Sequence, residues 1–277
     1  MKRINIPTLI AISIIAWILV NIFHEIVGHA GFGILSGLSL KAANTTTAYF
    51  NVNWNREISQ NGFFRYRFFL LGGVLVNFLT GFMAWLLLKF KSSMNSQLNL
   101  FLWLFTSFSL VIIVMNLISV PLIGGGDLVG VIRTFDNQNL AKTIVITLGV
   151  FVMITGYLFL QRSFMPKFNG HRSIILPLTI IPVLTIIIVQ SLSLIKSPFS
   201  YLPPSQNHLL ASVFAYFHFI FWAIIINIFP FSNKANSIEK ILPQKSLYWI
   251  ILSMIMLFFF VFILGPGIGS FEGHPSL

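Results

Sequence analysis

Seven apolar runs, each long enough to cross a bilayer as a helix, decide what this chain can fold into. They lie at residues 6–36, 67–89, 98–122, 140–160, 174–195, 209–230 and 246–265, and a helical crossing takes about 20 residues. In hydrocarbon every backbone polar group needs a partner within the protein, so runs of this kind span as helices. The expected fold class is an all-α polytopic membrane protein of about seven transmembrane helices. Composition agrees, because a chain of 277 residues that is 56% hydrophobic and 8% charged lacks the polar surface to cover a soluble globule. The net charge of +11 is spread through short connections between apolar runs. That is the distribution membrane topology requires, so the bilayer is the expected partner and nucleic acid is not. Met1-Lys2-Arg3 before the first run looks like the start of a signal peptide, but no small-residue cleavage site follows before His24, and the run reads as a retained span.

The first run holds groups that lipid penalises. His24, Glu25 and His29 lie within six residues of apolar sequence, and ionisable side chains at membrane depth mark functional sites. A histidine, a glutamate directly after it and a second histidine one turn on make a zinc site, the carboxylate acting on the metal's water. Here the motif reads HExxxH, one residue longer than the usual spacing. On a regular α-helix His24 and His29 would point about 140° apart. Two geometries stay open: a π-bulge that brings the two histidines onto one face, made easier by Gly28, or a regular helix on which Glu25 and His29, four apart, form the ligand pair. Cysteine is absent, so any metal is held by His, Asp or Glu.

Three further stretches bear on this site. Residues 38–66 form the longest connection, and the β-forming stretch from Thr45 through Tyr49 to Trp54 predicts a short strand or hairpin. In the second run, the stretch from Gly72-Gly73 to Asn77 places a small residue and an amide four apart on one helical face, a pattern for close helix packing. The third run ends in Asn116, Pro121, three glycines and Asp127, so the helix is expected to unwind there. Of the six acidic residues, Asp127 and Glu25 alone adjoin both membrane sequence and a backbone-opening motif, which makes Asp127 the candidate third ligand. Alternating spans place the ends of the first and third runs, and the 38–66 connection, on one side of the membrane. With the N-terminus inside, ten of the seventeen Lys and Arg residues lie inside, a narrow bias toward that orientation.

The remaining runs carry little chemistry. Pro177 and Pro182 predict a kink in the fifth. His218 and Asn227 in the sixth read as interhelical hydrogen-bonding groups, His171 and His208 as interfacial, and the tail from Gly265 as loose, with Glu272 and His274 able to fold over a site.

Taken together, His24-Glu25 with His29, Gly73 with Asn77, and Asn116 to Pro121 leading to Asp127 resemble the site-2 protease family of intramembrane zinc metalloproteases, over roughly residues 8–130. The resemblance implies a three-helix core with a membrane-associated β-segment after the first helix, here residues 1–135. Residues 136–277 then add four helices and the tail. It implies Zn²⁺ held by His24, His29 and Asp127, with Glu25 as general base and Asn77 or Asn116 contacting substrate or supporting the oxyanion. The substrate would be a transmembrane protein or peptide, and the expected location is the plasma membrane of a bacterium. The family's active site opens toward the cytosol, opposite to the charge bias. The chain departs from the pattern in its extra residue between the histidines, in Val74 where proline is usual, and in glycines that precede Asp127. Those departures frame the rival expectation, a catalytically inactive scaffold or regulator. A proton-coupled transporter using His24, Glu25 and Asp127 is a further rival. A di-iron hydroxylase would need several histidine clusters, and the six histidines are mostly isolated.

Overall fold

A computed structural model describes residues 4–45, 48–90, 95–124, 126–164, 172–196, 206–228 and 243–269. Helix α1, Ile6–Ile22, begins where the Asn5 side chain accepts the Thr8 backbone N–H at 3.0 Å, with proline in its first turn. It runs without interruption into a π-helical segment, Phe23–Ala30, and then into α2, Gly31–Leu35. Strands β1, Leu40–Ala43, and β2, Ala48–Phe50, form an antiparallel hairpin. After them come α3, Trp54–Asn61, α4, Phe64–Phe90, α5, Ser96–Ile123, and the short α6, Asp127–Ile132. Four more helices follow among the described residues: α7, Gln138–Phe164; α8, Arg172–Lys196; α9, Gln206–Ile228; and α10, Leu247–Phe258, which passes into a second π-helical segment, Phe259–Leu264. A two-residue strand, β3, Ile268–Gly269, closes the described chain.

This is an all-α, multi-pass integral membrane protein. Six described helices are long and apolar enough to cross a membrane: Ile6–Leu35, Phe64–Phe90, Ser96–Ile123, Gln138–Leu160, Ile175–Ser193 and Leu247–Leu264. The run at 209–230 is helical as well, as α9, with a shorter apolar stretch at Phe217–Ile228. Lipid-facing surface is apolar, as on α4, where Phe78, Leu79, Phe82 and Met83 are exposed on one side.

Helix α5 is the most enclosed. Its Trp103 and Phe108 are fully buried and meet Trp222 of α9, while Trp17 of α1 stands edge-on to Phe219, ring centroids 5.3 Å apart. The same core cluster reaches Ile175 to Val189 of α8 and Phe260 after α10, so the late helices pack on the early ones through one continuous apolar interior. Several hydroxyls in this interior bond back to the carbonyl one turn earlier, as Ser13 does to Leu9 and Ser107 to Trp103. That satisfies them without help from water. Asn227 links helices by donating to Thr179 Oγ1 at 2.9 Å, and Ser119 meets the His218 ring at 3.3 Å.

Three features differ from expectation. The hairpin lies where a β-segment was predicted, but β1 starts before Thr45, and the amphipathic α3, with no apolar run to announce it, follows. The Arg65 guanidinium pairs with Glu57 at 2.9 Å and ties α3 to the start of α4. Helix α5 does not unwind at Pro121: it continues to Ile123 and stops at Gly124, whose φ of 84° ends a helix as a left-handed cap. Proline in a last turn forfeits a single bond to the preceding turn. The tail is not loose throughout, since Ile268–Gly269 pairs with Ala43 and Ala42 and makes the sheet β2-β1-β3. Glu272, His274 and His171 lie outside the described residues, as does the side chain of His208. Pro177 and Pro182 sit inside a continuous α8.

Candidate metal centre

The extra residue between the histidines is absorbed by the π-helical segment. A π-turn closes with i→i+5 bonds, so residues five apart stack one turn from each other. His24 and His29 therefore lie on one face, their rings 4.9 Å apart and edge-on at 86°. This resolves the two open geometries. The donor atoms that converge are those of His24, His29 and Asp127, all within 4.8 Å of one another. Glu25 supplies none of them, and sits beside the three, within electrostatic reach of His24, His29 and Asp127.

Asp127 arrives from the other direction. The turn from α5 to α6 is bracketed by Gly124 and Gly126, both at positive φ, 84° and 92°. L side chains rarely adopt such values. The reversal starts α6 at Asp127, directly over the π-segment. Arg67 of α4 anchors the far end of α6. It donates to Thr134 Oγ1 at 2.7 Å and to the Thr134 carbonyl at 2.8 Å, with its guanidinium 4.5 Å from the Phe135 ring centre.

Helix α4 is the floor. A methyl group built on Gly73 would lie 2.6 Å from His29 Nε2 and 2.6 Å from His24 Cε1, so only a bare backbone lets both rings approach. Gly28 and Gly72 make the complementary contact, in which a Cβ on Gly28 would meet Gly73 Cα at 2.5 Å. Gly28 thus serves helix contact at least as much as helix distortion. The hairpin covers the other flank, Phe50 filling the space above Gly33 and joining Ala30 and Phe69 in a small apolar cluster.

Each histidine is held through its outer nitrogen. His29 Nδ1 lies 3.0 Å from the Phe69 carbonyl oxygen. A carbonyl only accepts, so Nδ1 carries the proton. His29 Nε2 then faces Asp127 Oδ2 at 3.1 Å, and His24 Nε2 faces the same oxygen at 3.5 Å. A lone pair and a carboxylate oxygen do not rest 3.1 Å apart without a cation between them, and that cation is a proton or a metal. Burial pushes the Asp127 carboxyl up, but the adjoining imidazoles outweigh it and hold it well below the usual carboxylate range, so it is ionised. The histidine side chains are 8% and 4% exposed and that of Asp127 28%, so the cluster is open on the Asp127 side.

Two imidazoles and a carboxylate make a donor set that could hold a metal ion such as zinc. Two ligand atoms bound to tetrahedral zinc stand about 3.3 Å apart, and the two nitrogen–oxygen separations fall on either side of that figure. Of the weaker candidates, Asn77 is fully buried with Nδ2 3.0 Å from His24 Nδ1, so it touches the outer edge of that ring. Asn116 is buried and donates to the Ile112 carbonyl on its own helix, and its amide makes no hydrogen bond to the cluster. The Phe69 carbonyl escaped sequence reading because a main-chain group leaves no signature. The Gly72-Gly73 pair did leave one, legible as close packing. The chain matches no family model, no curated protein and no solved structure.

Proposed function

We propose that the protein is an intramembrane zinc-dependent endopeptidase of the site-2 protease type, acting on transmembrane or membrane-associated proteins. The observation that carries this reading is the convergence of His24, His29 and Asp127 with Glu25 beside them, on two helical segments that lie far apart in sequence. His24, His29 and Asp127 would hold the metal. Zinc, when bound, lowers the pKa of a water to about 7 and polarises a carbonyl. Glu25 takes the proton of the attacking water and delivers it to the amine that leaves, a role that contributes about 10²- to 10⁴-fold. The Phe69 carbonyl keeps His29 in the tautomer with Nε2 turned inward, and the apolar wall of α4 and the hairpin excludes water from the closed side. The edge strand β2 offers an unwound substrate segment a place to pair as an added strand. A multi-pass protein of this kind fits the plasma membrane of a bacterium.

Glu25→Gln tests the assignment. Zinc should stay at about one per molecule while cleavage of a reconstituted helical substrate falls at least 100-fold; undiminished cleavage would sink it. One observation favours a second reading, a non-catalytic scaffold or a proton relay. As the Asn77 amide stands, its nitrogen faces His24 Nδ1, which leaves the His24 proton on Nε2, pointing at Asp127. Zinc content separates the two.

A further inference from the structure

The contact between Asn77 and His24 is made by the wrong atom for a metal ligand, and that carries an inference. It rests on the zinc reading above and deepens it. Asn77 lies four residues after Gly73 on α4, so the helix face that admits both rings also sets an amide against the outer edge of His24. The amide is fully buried, its Nδ2 is 3.0 Å from His24 Nδ1, and its Oδ1 is buried with no hydrogen-bond partner among the described residues. A histidine that gives Nε2 to a metal keeps its proton on Nδ1. That proton would then meet the amide's own hydrogens, and two donors do not share a 3.0 Å contact. Rotation of the amide by 180° exchanges oxygen for nitrogen without moving any other atom.

We propose that Asn77 is a positioning residue for the metal centre: with zinc on His24 Nε2 its amide turns, and Oδ1 accepts the Nδ1–H of His24. The amide thereby reports and fixes the tautomer of the ring. His29 has a fixed acceptor for its Nδ1–H in the Phe69 carbonyl, whereas His24 gains its acceptor as the amide turns. The two ligands of one HExxxH motif are thus held by partners of different kinds, one rigid and one reversible. Aspartate at position 77 offers oxygen in either orientation and should serve zinc binding. Leucine, of similar shape, offers no acceptor.

The experiment is zinc affinity, read by competition with a chromophoric chelator on detergent-purified full-length protein, together with the zinc-induced rise in Tm. Wild type, Asn77→Asp and Asn77→Leu are compared. Loss of a partner that orients a ligand histidine weakens metal binding about 10- to 100-fold, so Asn77→Leu should bind that much more weakly than wild type. Asn77→Asp should bind as tightly or more tightly, with a zinc-induced Tm rise no smaller than that of wild type. Equal loss in both variants, or no loss in either, with about one zinc on wild type, overturns the role of Asn77 and leaves the metal centre standing. No zinc on wild type fells the metal reading itself, and this inference with it. Should Asn77→Asp fail to fold, ¹⁵N spectra of labelled histidine in the zinc-loaded protein decide. A hydrogen-bonded Nδ1–H on His24 that loses its bond in Asn77→Leu supports the role, and an Nδ1–H indifferent to the substitution overturns it.

Discussion

Gly73 and His29 are in contact without a side chain between them: a methyl on Gly73 would sit 2.6 Å from Nε2 of His29, the atom turned toward Asp127. The floor of the centre is backbone, and its shape depends on a hydrogen atom where every other residue carries carbon. Gly73→Ala should therefore displace both imidazoles, weaken zinc binding at least about 10-fold and destabilise the protein by the 1–3 kcal/mol typical of overpacking. Gly31→Ala is the control, since a Cβ there meets nothing closer than the Ile26 carbonyl at 3.7 Å. Its stability should stay within about 0.5 kcal/mol of wild type. Zinc titration and thermal unfolding of the two proteins check the contrast.

The π-helical segment is one residue's worth of extra chain between the histidines, and Val27, exposed on its outer side, is the residue that can leave. Deleting Val27 yields HExxH, which a regular α-helix presents on one face. The deletion variant should keep about one zinc per molecule. Inserting an alanine after Val27 turns the two histidines apart again, and that protein should lose its zinc.

Arg67 holds α6 by its guanidinium fork on Thr134 and by stacking on Phe135, and α6 carries Asp127 at its other end. Arg67→Ala should loosen Asp127 and lower zinc affinity several-fold with no direct contact to the site. Arg67→Lys should not restore it, because an ammonium cannot make both bonds or lie flat on the ring. A lysine variant with wild-type affinity would refute the clamp.

Zinc binding should weaken as pH falls, and the sign follows from competition. Metal needs deprotonated ligands, so protons compete with it for the imidazole nitrogens. Asp127, held well below the usual carboxylate range by the same imidazoles, does not contribute until far lower pH. Affinity should thus fall steadily as pH is lowered, with up to two protons taken up per zinc released. Chelator competition across a pH series measures the slope. A loss that begins only below pH 4 would point to the carboxylate instead.

Much of the architecture was readable from the chain alone. Long apolar runs have one way to satisfy their backbone in hydrocarbon, so α1, α4, α5, α7, α8 and the α10 span were expected close to where they lie. The hairpin after the first span was expected as well. Helix α3 was not, because Trp54–Asn61 is short and polar and its period is lost in a connection. The pairing of Ile268–Gly269 with β1 was not, because a strand of two residues has no pattern of its own.

What the sequence by itself determined is the chemistry at hand: an apolar chain without cysteine, in which His24, Glu25, His29 and Asp127 are groups too polar to be idle. What the tertiary structure decided is which of them meet and how they are held. Spacing left two ligand pairs open, since helical phase depends on whether the segment winds with 3.6 residues per turn or more. In the folded protein the wider turn is the one present, with Gly28 lying against Gly73 of the second span. Nor could Asn77 be placed as the partner of His24, or the Phe69 carbonyl as that of His29. Hydrogen bonds between helices depend on their rotation about their axes, which is set by all the contacts of the bundle together.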